Sequence, residues 1–142
     1  MPTNLIPPKR GPAHHFRVRV YYEDTDAGGV VYHANYLQFA ERARTEMLRD
    51  HGLAQSQLSK ELGFFFVLRR CTVDFLAPAR LDDRLLVTSR LMDLRGASLD
   101  LAQIITRDGL ELVRLEVKLA CMSAEGRAVR LPLSVRTILA EL

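Results

Sequence analysis

The chain has 142 residues, 48% hydrophobic and 26% charged, which suits one compact domain whose core needs neither metal nor disulfide. Its net charge of +3 comes from scattered arginines; this permits an anionic ligand but lacks the clustered basic face of a nucleic-acid binder. Cys71 and Cys121 stand far apart with no zinc-type spacing, and there is neither a signal-peptide-like segment at the N-terminus nor an apolar run of about 18 residues. A cytoplasmic protein with reduced thiols and no transmembrane segment is therefore expected.

Residues 1–13 hold Pro2, Pro7, Pro8, Gly11 and Pro12 with little apolar content and read as a flexible tail, leaving 14–142 as a single domain. From Phe16 to Tyr22, Arg17 and Arg19 alternate with Val18 and Val20, the period of a strand. Asp26-Ala27-Gly28-Gly29 is turn-prone. The spacing then predicts one long helix over Ala34–His51. Tyr36, Phe39, Ala40, Ala43 and Met47 fall on one face, Gln38, Glu41, Arg42, Thr45 and Arg49 lie opposite, and Gly52 acts as a stop. Eighteen residues at 1.5 Å each make a rod about 27 Å long. A short helical turn is expected near Gln55–Glu61.

The remainder reads as strands: Phe64–Phe75, ended by Pro78; Leu85–Leu94; Ser98–Arg107 after the Gly96 turn; and a last strand after the hairpin signal Asp108-Gly109. In that last strand Val113, Leu115, Val117, Leu119 and Cys121 share one face, and Arg114, Glu116 and Lys118 the other. A short segment after Pro132 has helical character. Short turns between successive strands predict antiparallel neighbours in sequence order. The fold class is α+β, one helix lying on a curved antiparallel sheet.

Chemistry concentrates in YYEDTDAGGVVYHANY, residues 21–36, between a strand and a helix start. A helix N-terminus offers unpaired N–H groups and a partial positive charge, which suit the oxyanion of a carbonyl under attack. A glycine-rich turn just upstream can bring an ionised Asp26 to the same point. Asp26 is equally readable as a turn former, since Asp bonds its own backbone in turns. Asp24 reads as solvated or salt-bridged. Tyr22, Tyr32 and Tyr36 read first as packing residues. Glu23, Asp24, Asp26 and His33 are metal-ligand types, yet their spacing repeats no ligand pattern. Both cysteines read as strand core rather than as nucleophiles, and no phosphate-binding glycine loop is present.

The stretch YYEDTDAGGVVYHANYLQFAERARTEMLR, residues 21–49, closely resembles the hotdog-fold thioesterases. The nearest group is the YbgC type, associated with the Tol-Pal system, within the 4-hydroxybenzoyl-CoA thioesterase-like superfamily. The likeness continues through VDFLAPARLDD, residues 73–83, and LRGASL, residues 94–99. It implies a sheet wrapped around the long helix, active sites at a homodimer interface, and dimers that pair into tetramers. It also implies hydrolysis of acyl-CoA to free acid and CoA, with CoA as part of the substrate and no separate cofactor or metal.

By the same resemblance Asp26 is the catalytic carboxylate, as nucleophile or general base, and the His33 N–H polarises the thioester carbonyl. The His33 side chain matches a histidine typical of the group. Ser98 lies near the thioester or the hydrolytic water, and Tyr22 and Tyr32 contact substrate. Arg69, Arg70 and Arg95 are candidates for the CoA phosphates. Two rival readings are a non-catalytic acyl-CoA or acyl-carrier-protein binding scaffold and a hotdog dehydratase. Asp26 with its helix-start motif speaks against the first. Its place before the helix, rather than on it, speaks against the second. Acyl carrier protein and lipid-synthesis enzymes are candidate partners.

Overall fold

The structure is a computed structural model that describes residues 13–142. The expected tail therefore lies outside the described residues, apart from a half-buried Ala13. Five strands form one antiparallel sheet in the order β1-β3-β4-β5-β2: β1 is His14–Arg19, β2 Phe64–Phe75, β3 Arg84–Leu94, β4 Ser98–Arg107 and β5 Leu110–Ser123. The long helix α1 spans Asn35–Asp50 and packs on β1 and β3. The short turn α2, Gln55–Gln57, continues as a π turn over Leu58–Leu62, and α3 covers Leu133–Leu139. The α+β hotdog architecture is thus present.

Helix α1 forms where the 3.6-residue period predicts, and Tyr36, Phe39, Ala40, Ala43 and Met47 are all buried. Arg44 shares that face and is buried too. Its Nη1 donates to Gln103 Oε1 at 2.9 Å, and Gln103 Nε2 donates to the Ala40 carbonyl and to Ser89 Oγ. A buried guanidinium is tolerable because this chain of bonds satisfies the polar groups around it; desolvation still pushes its pKa down.

Strand β5 buries Val113, Leu115, Val117, Leu119 and Cys121, as its alternation requires. Asp108 and Gly109, both at positive φ (51° and 83°), make the tight β4–β5 turn. Burial raises the pKa of both free thiols, that of the fully buried Cys121 to about 12 and that of the half-buried Cys71 in the same direction.

Two expectations are corrected. The first strand stops at Arg19 instead of running to Tyr22, and Tyr22–Asp24 is a 3₁₀ turn. The cause is local: both carboxylate oxygens of Asp24 are engaged by nearby donors, which curls the chain away from the sheet. Nor do strands pair strictly in sequence order. Only β3, β4 and β5 do so; β1 pairs with β3, and β2 pairs with β5. The segment 76–83 carries the chain from one edge of the sheet to the far half, so β2 becomes an edge strand.

Candidate active site

Asp26 sits in a five-residue return. Its N–H bonds to the Val30 carbonyl at 2.9 Å, and the Gly29 N–H bonds to the Asp26 carbonyl at 3.0 Å. Gly29 has φ 82°, a left-handed conformation that a side chain would strain. Asp26 Oδ1 accepts from the Gly28 N–H at 2.8 Å, so the turn-forming bond is real. The carboxylate is nonetheless exposed and Oδ2 is uncommitted among the described residues. The bridge between Thr25 and Val31 closes this return and leads straight to His33 and the start of α1.

Asp24 is neither solvated nor salt-bridged. It is 5% exposed. Its Oδ2 accepts from the Tyr21 N–H at 2.8 Å, its Oδ1 accepts from Asn35 Nδ2 at 2.9 Å, and its carbonyl accepts from the Tyr32 N–H at 2.9 Å. It clamps the acidic loop to the first residue of α1. Among the described residues no cluster of three His, Cys, Asp or Glu side chains gathers in a metal-holding arrangement.

His33 is exposed at the helix entry, and its backbone N–H has no backbone or side-chain acceptor among the described residues. This is the unpaired donor that a helix start supplies. The imidazole lies between the Tyr32 ring, 4.4 Å away centroid to centroid, and the Phe75 ring at 6.4 Å. Tyr22, at 82% exposure, projects into solvent beside the loop.

Tyr36 is buried beneath this entry, and its hydroxyl accepts from the Ala79 N–H at 3.0 Å. Burial raises its pKa; the Ala79 bond and the Arg107 charge oppose that, while Asp83 and Asp26 add to it. These charges therefore cluster near one hydroxyl. A cavity of about 290 Å³ opens here, lined by Val31, His33, Tyr36, Phe75, Leu76, Ala77 and Pro78. Sequence reading missed Phe75 and the seat of Tyr36, because an aromatic at a strand end or on a helix face looks like packing.

The other candidates lie elsewhere. Ser98 begins β4 while Arg107, near Asp83 and Pro78, ends it. Ten strand residues at about 3.3 Å each separate the two ends by about 30 Å. Arg95 is at the Ser98 end, paired with Asp93 and Asp100 at 3.1 and 2.9 Å. Arg70 and Arg95 line one cavity of about 460 Å³ with Lys118, but Asp93, Asp100 and Glu116 line it as well. Arg69 is the extra residue of the β2 bulge. One chain alone does not bring Ser98 and Arg95 to Asp26.

The fold and this helix-entry site define the class. The profile described as the thioesterase-like superfamily matches residues 20–139, and the chain belongs to that superfamily. Among curated proteins it is 52% identical over 106 residues to acyl-CoA thioester hydrolase YbgC of Escherichia coli O6:H1, covering 74% of this chain and 78% of the relative. It is 48% identical over 107 residues to acyl-CoA thioesterase YbgC of Haemophilus influenzae, covering 75% and 79%. Among solved structures it matches a probable thioesterase from Bartonella henselae with TM-score 0.82 and 41% identity, over 84% of this chain and 99% of the other.

Proposed function

We propose that the chain hydrolyses acyl-CoA thioesters to a free acid and CoA, with Asp26 as the catalytic carboxylate and the His33 N–H as the oxyanion donor. The observation that carries this is the pairing of an exposed carboxylate with an unpaired N–H at a helix start, joined by one short return. In the general-base route Asp26 takes a proton from water as its oxygen adds to the thioester carbon. The His33 N–H holds the oxyanion, and collapse expels the CoA thiolate, which then takes up a proton. In the nucleophilic route Asp26 itself adds, and water cleaves the resulting anhydride. Label found in Asp26 after a single turnover in heavy-oxygen water establishes the second route, with water attacking the Asp26 carbonyl of the anhydride, because the general-base route places label only in the product acid. Release of free thiol from acyl-CoA tests the activity itself; a purified protein that binds acyl-CoA without releasing thiol would favour the scaffold reading.

The working unit in this proposal is a homodimer formed by antiparallel pairing of the β2 edges, with dimers pairing further into a tetramer. Two features support it: β2 is an unpaired edge, and Leu68 and Phe75 on its inner face are 49% and 53% exposed. Antiparallel pairing would set the Ser98 end of one chain against the Asp26 end of the other, which accounts for site residues lying at opposite ends of the sheet within a chain. Arg69, Arg70 and Arg95 would then be available to the CoA phosphates. The proposal extends to a cytoplasmic, Tol-Pal-associated role with acyl carrier protein or lipid-synthesis enzymes as partners. Its free thiols suit a reducing compartment, and no helix among the described residues is long and apolar enough to cross a membrane.

A further inference from the structure

We infer that the outer face of β1 and β3 carries an anion site of its own, in which Arg17, Arg19 and Arg84 take a phosphate group, either of a free phosphate compound or of a lipid headgroup. The site is separate from the arginines assigned to CoA and does not depend on the hydrolase reading.

The register gathers cations that are scattered in the sequence. Arg17 and Arg19 are exposed on the outer face of β1, while Val18 between them packs toward the core. Arg19 lies directly opposite Arg84, and Arg17 opposite Leu86, two residues further along β3. Side chains directly opposite in an antiparallel pair have Cβ atoms about 5 Å apart, and like charges so placed repel. All three arginines line one concavity of about 680 Å³. None of them forms an ion pair among the described residues, so no described carboxylate offsets that repulsion.

The site is held in shape as well as charged. The Val20 N–H donates to the Asp83 carbonyl at 2.9 Å, and the Asp82 N–H donates to the Val20 carbonyl at 3.0 Å, which ties the loop before β3 to the end of β1. Asp82 is kept at φ 71°, a conformation that costs a non-glycine residue energy, and its carbonyl accepts from Arg19 Nη1 at 3.1 Å. One donor of Arg19 is thereby fixed, and its other guanidinium donors have no acceptor among the described residues. Leu86 adds an apolar floor beside the cations, and Thr106, its partner on β4, adds a hydroxyl. Asp108 is the one acid in the lining. Three cations against one acid leave a charge that a phosphate monoester, at about −1.5 to −2, matches, and guanidinium forks suit its oxygens.

The test titrates inorganic pyrophosphate into the wild type, Arg19→Gln, Arg84→Gln and Arg70→Gln by calorimetry. The same proteins are sedimented with phosphatidylglycerol vesicles and with phosphatidylcholine vesicles. Arg19→Gln and Arg84→Gln should each weaken binding by about tenfold, the scale of one charge-assisted hydrogen bond, and Arg70→Gln should leave it unchanged. Pyrophosphate binding without retention on either vesicle identifies a free phosphate compound as the ligand. Retention on phosphatidylglycerol alone, lost in both β1–β3 variants, identifies a lipid headgroup. Arg84 has no described side-chain bond to lose, so Arg84→Gln should melt at or above wild type at low salt, which separates lost binding from lost folding. Wild-type protein that binds neither pyrophosphate at millimolar concentration nor phosphatidylglycerol would overturn the inference. So would equal losses in all three variants, the mark of general surface charge, or a loss confined to Arg70→Gln, which would place the phosphate on the CoA arginines.

Discussion

Asn35 Nδ2 donates to Asp24 Oδ1 at 2.9 Å, while Asp24 Oδ2 accepts from the Tyr21 N–H at 2.8 Å. One buried carboxylate thus joins Tyr21, two residues past β1, to the acidic loop and the first residue of α1. The position of Asp26 relative to the His33 N–H depends on this clamp, because both lie on chain that leaves it.

Asp24→Asn is therefore a structural substitution. An amide offers one acceptor oxygen to two donors, so one donor loses its partner, at a cost of about 1–3 kcal/mol. A lowered denaturation midpoint with unchanged slope is the expected result, accompanied by weaker turnover. Glu23→Gln, on the exposed side of the same turn, should stay within about 0.5 kcal/mol of wild type. Equal stability of the two variants would refute the clamp.

Asp26→Asn should abolish most turnover while the chain melts as wild type. The amide oxygen can keep the 2.8 Å bond from Gly28, so the return survives, but the proton acceptor is gone. A loss of about 10²–10⁴-fold in kcat is expected for a positioned base, with binding of a non-hydrolysable acyl-CoA analogue retained. Turnover above about a tenth of wild type would exclude Asp26 as the catalytic carboxylate.

Mixing variants tests where the site is completed. Light scattering should first give a mass of at least twice 16.1 kDa. Asp26→Asn and Ser98→Trp chains, each inactive alone, should regain about a quarter of native turnover when refolded together, because half of the dimers are mixed and each carries one intact site. If Asp26 and Ser98 served the same site from one chain, the mixture would stay inactive.

Among the arginines, Arg69 and Arg70 should matter more to CoA than Arg95. Arg95 is already neutralised by Asp93 and Asp100, whereas the other two have no acid partner among the described residues. Arg69→Gln and Arg70→Gln should raise KM for acyl-CoA and flatten its rise with ionic strength, and leave KM for a phosphate-free acyl-pantetheine unchanged. A larger effect from Arg95→Gln would reverse this ranking.

The sequence discloses α1 and the β3–β4–β5 meander almost to the residue, because burial on one face imposes a 3.6 or a 2.0 period on the order of apolar and polar residues. It does not disclose where β1 ends, since the alternation of Arg17 and Arg19 with Val18 and Val20 runs into Tyr21 and Tyr22 with no breaking residue, while side-chain bonds of Asp24 curl the chain there. The strand order is also hidden: the pairing of β2 with β5 depends on which way segment 76–83 crosses, and no local residue encodes that. For the site, the motif around Asp26 and His33 is readable as chemistry. The distance between Asp26 and Ser98 is not, because it follows from sheet topology. Phe75 and Tyr36 carry no polar signature that would separate a pocket lining from core.

The pairing of β2 with β5 also bears on how the chain reaches this structure. Phe64 partners Ser123 and Phe75 partners Val113, so the earlier strand must wait for residues made about 40–60 positions later. The β3–β4–β5 hairpins close over short loops and can form first. Until they do, Phe64-Phe65-Phe66-Val67-Leu68, an apolar run with high strand propensity, stays without its ladder. Its window of vulnerability to aggregation is set by the time needed to synthesise and fold the meander, and closes only when the last long strand arrives to dock against it.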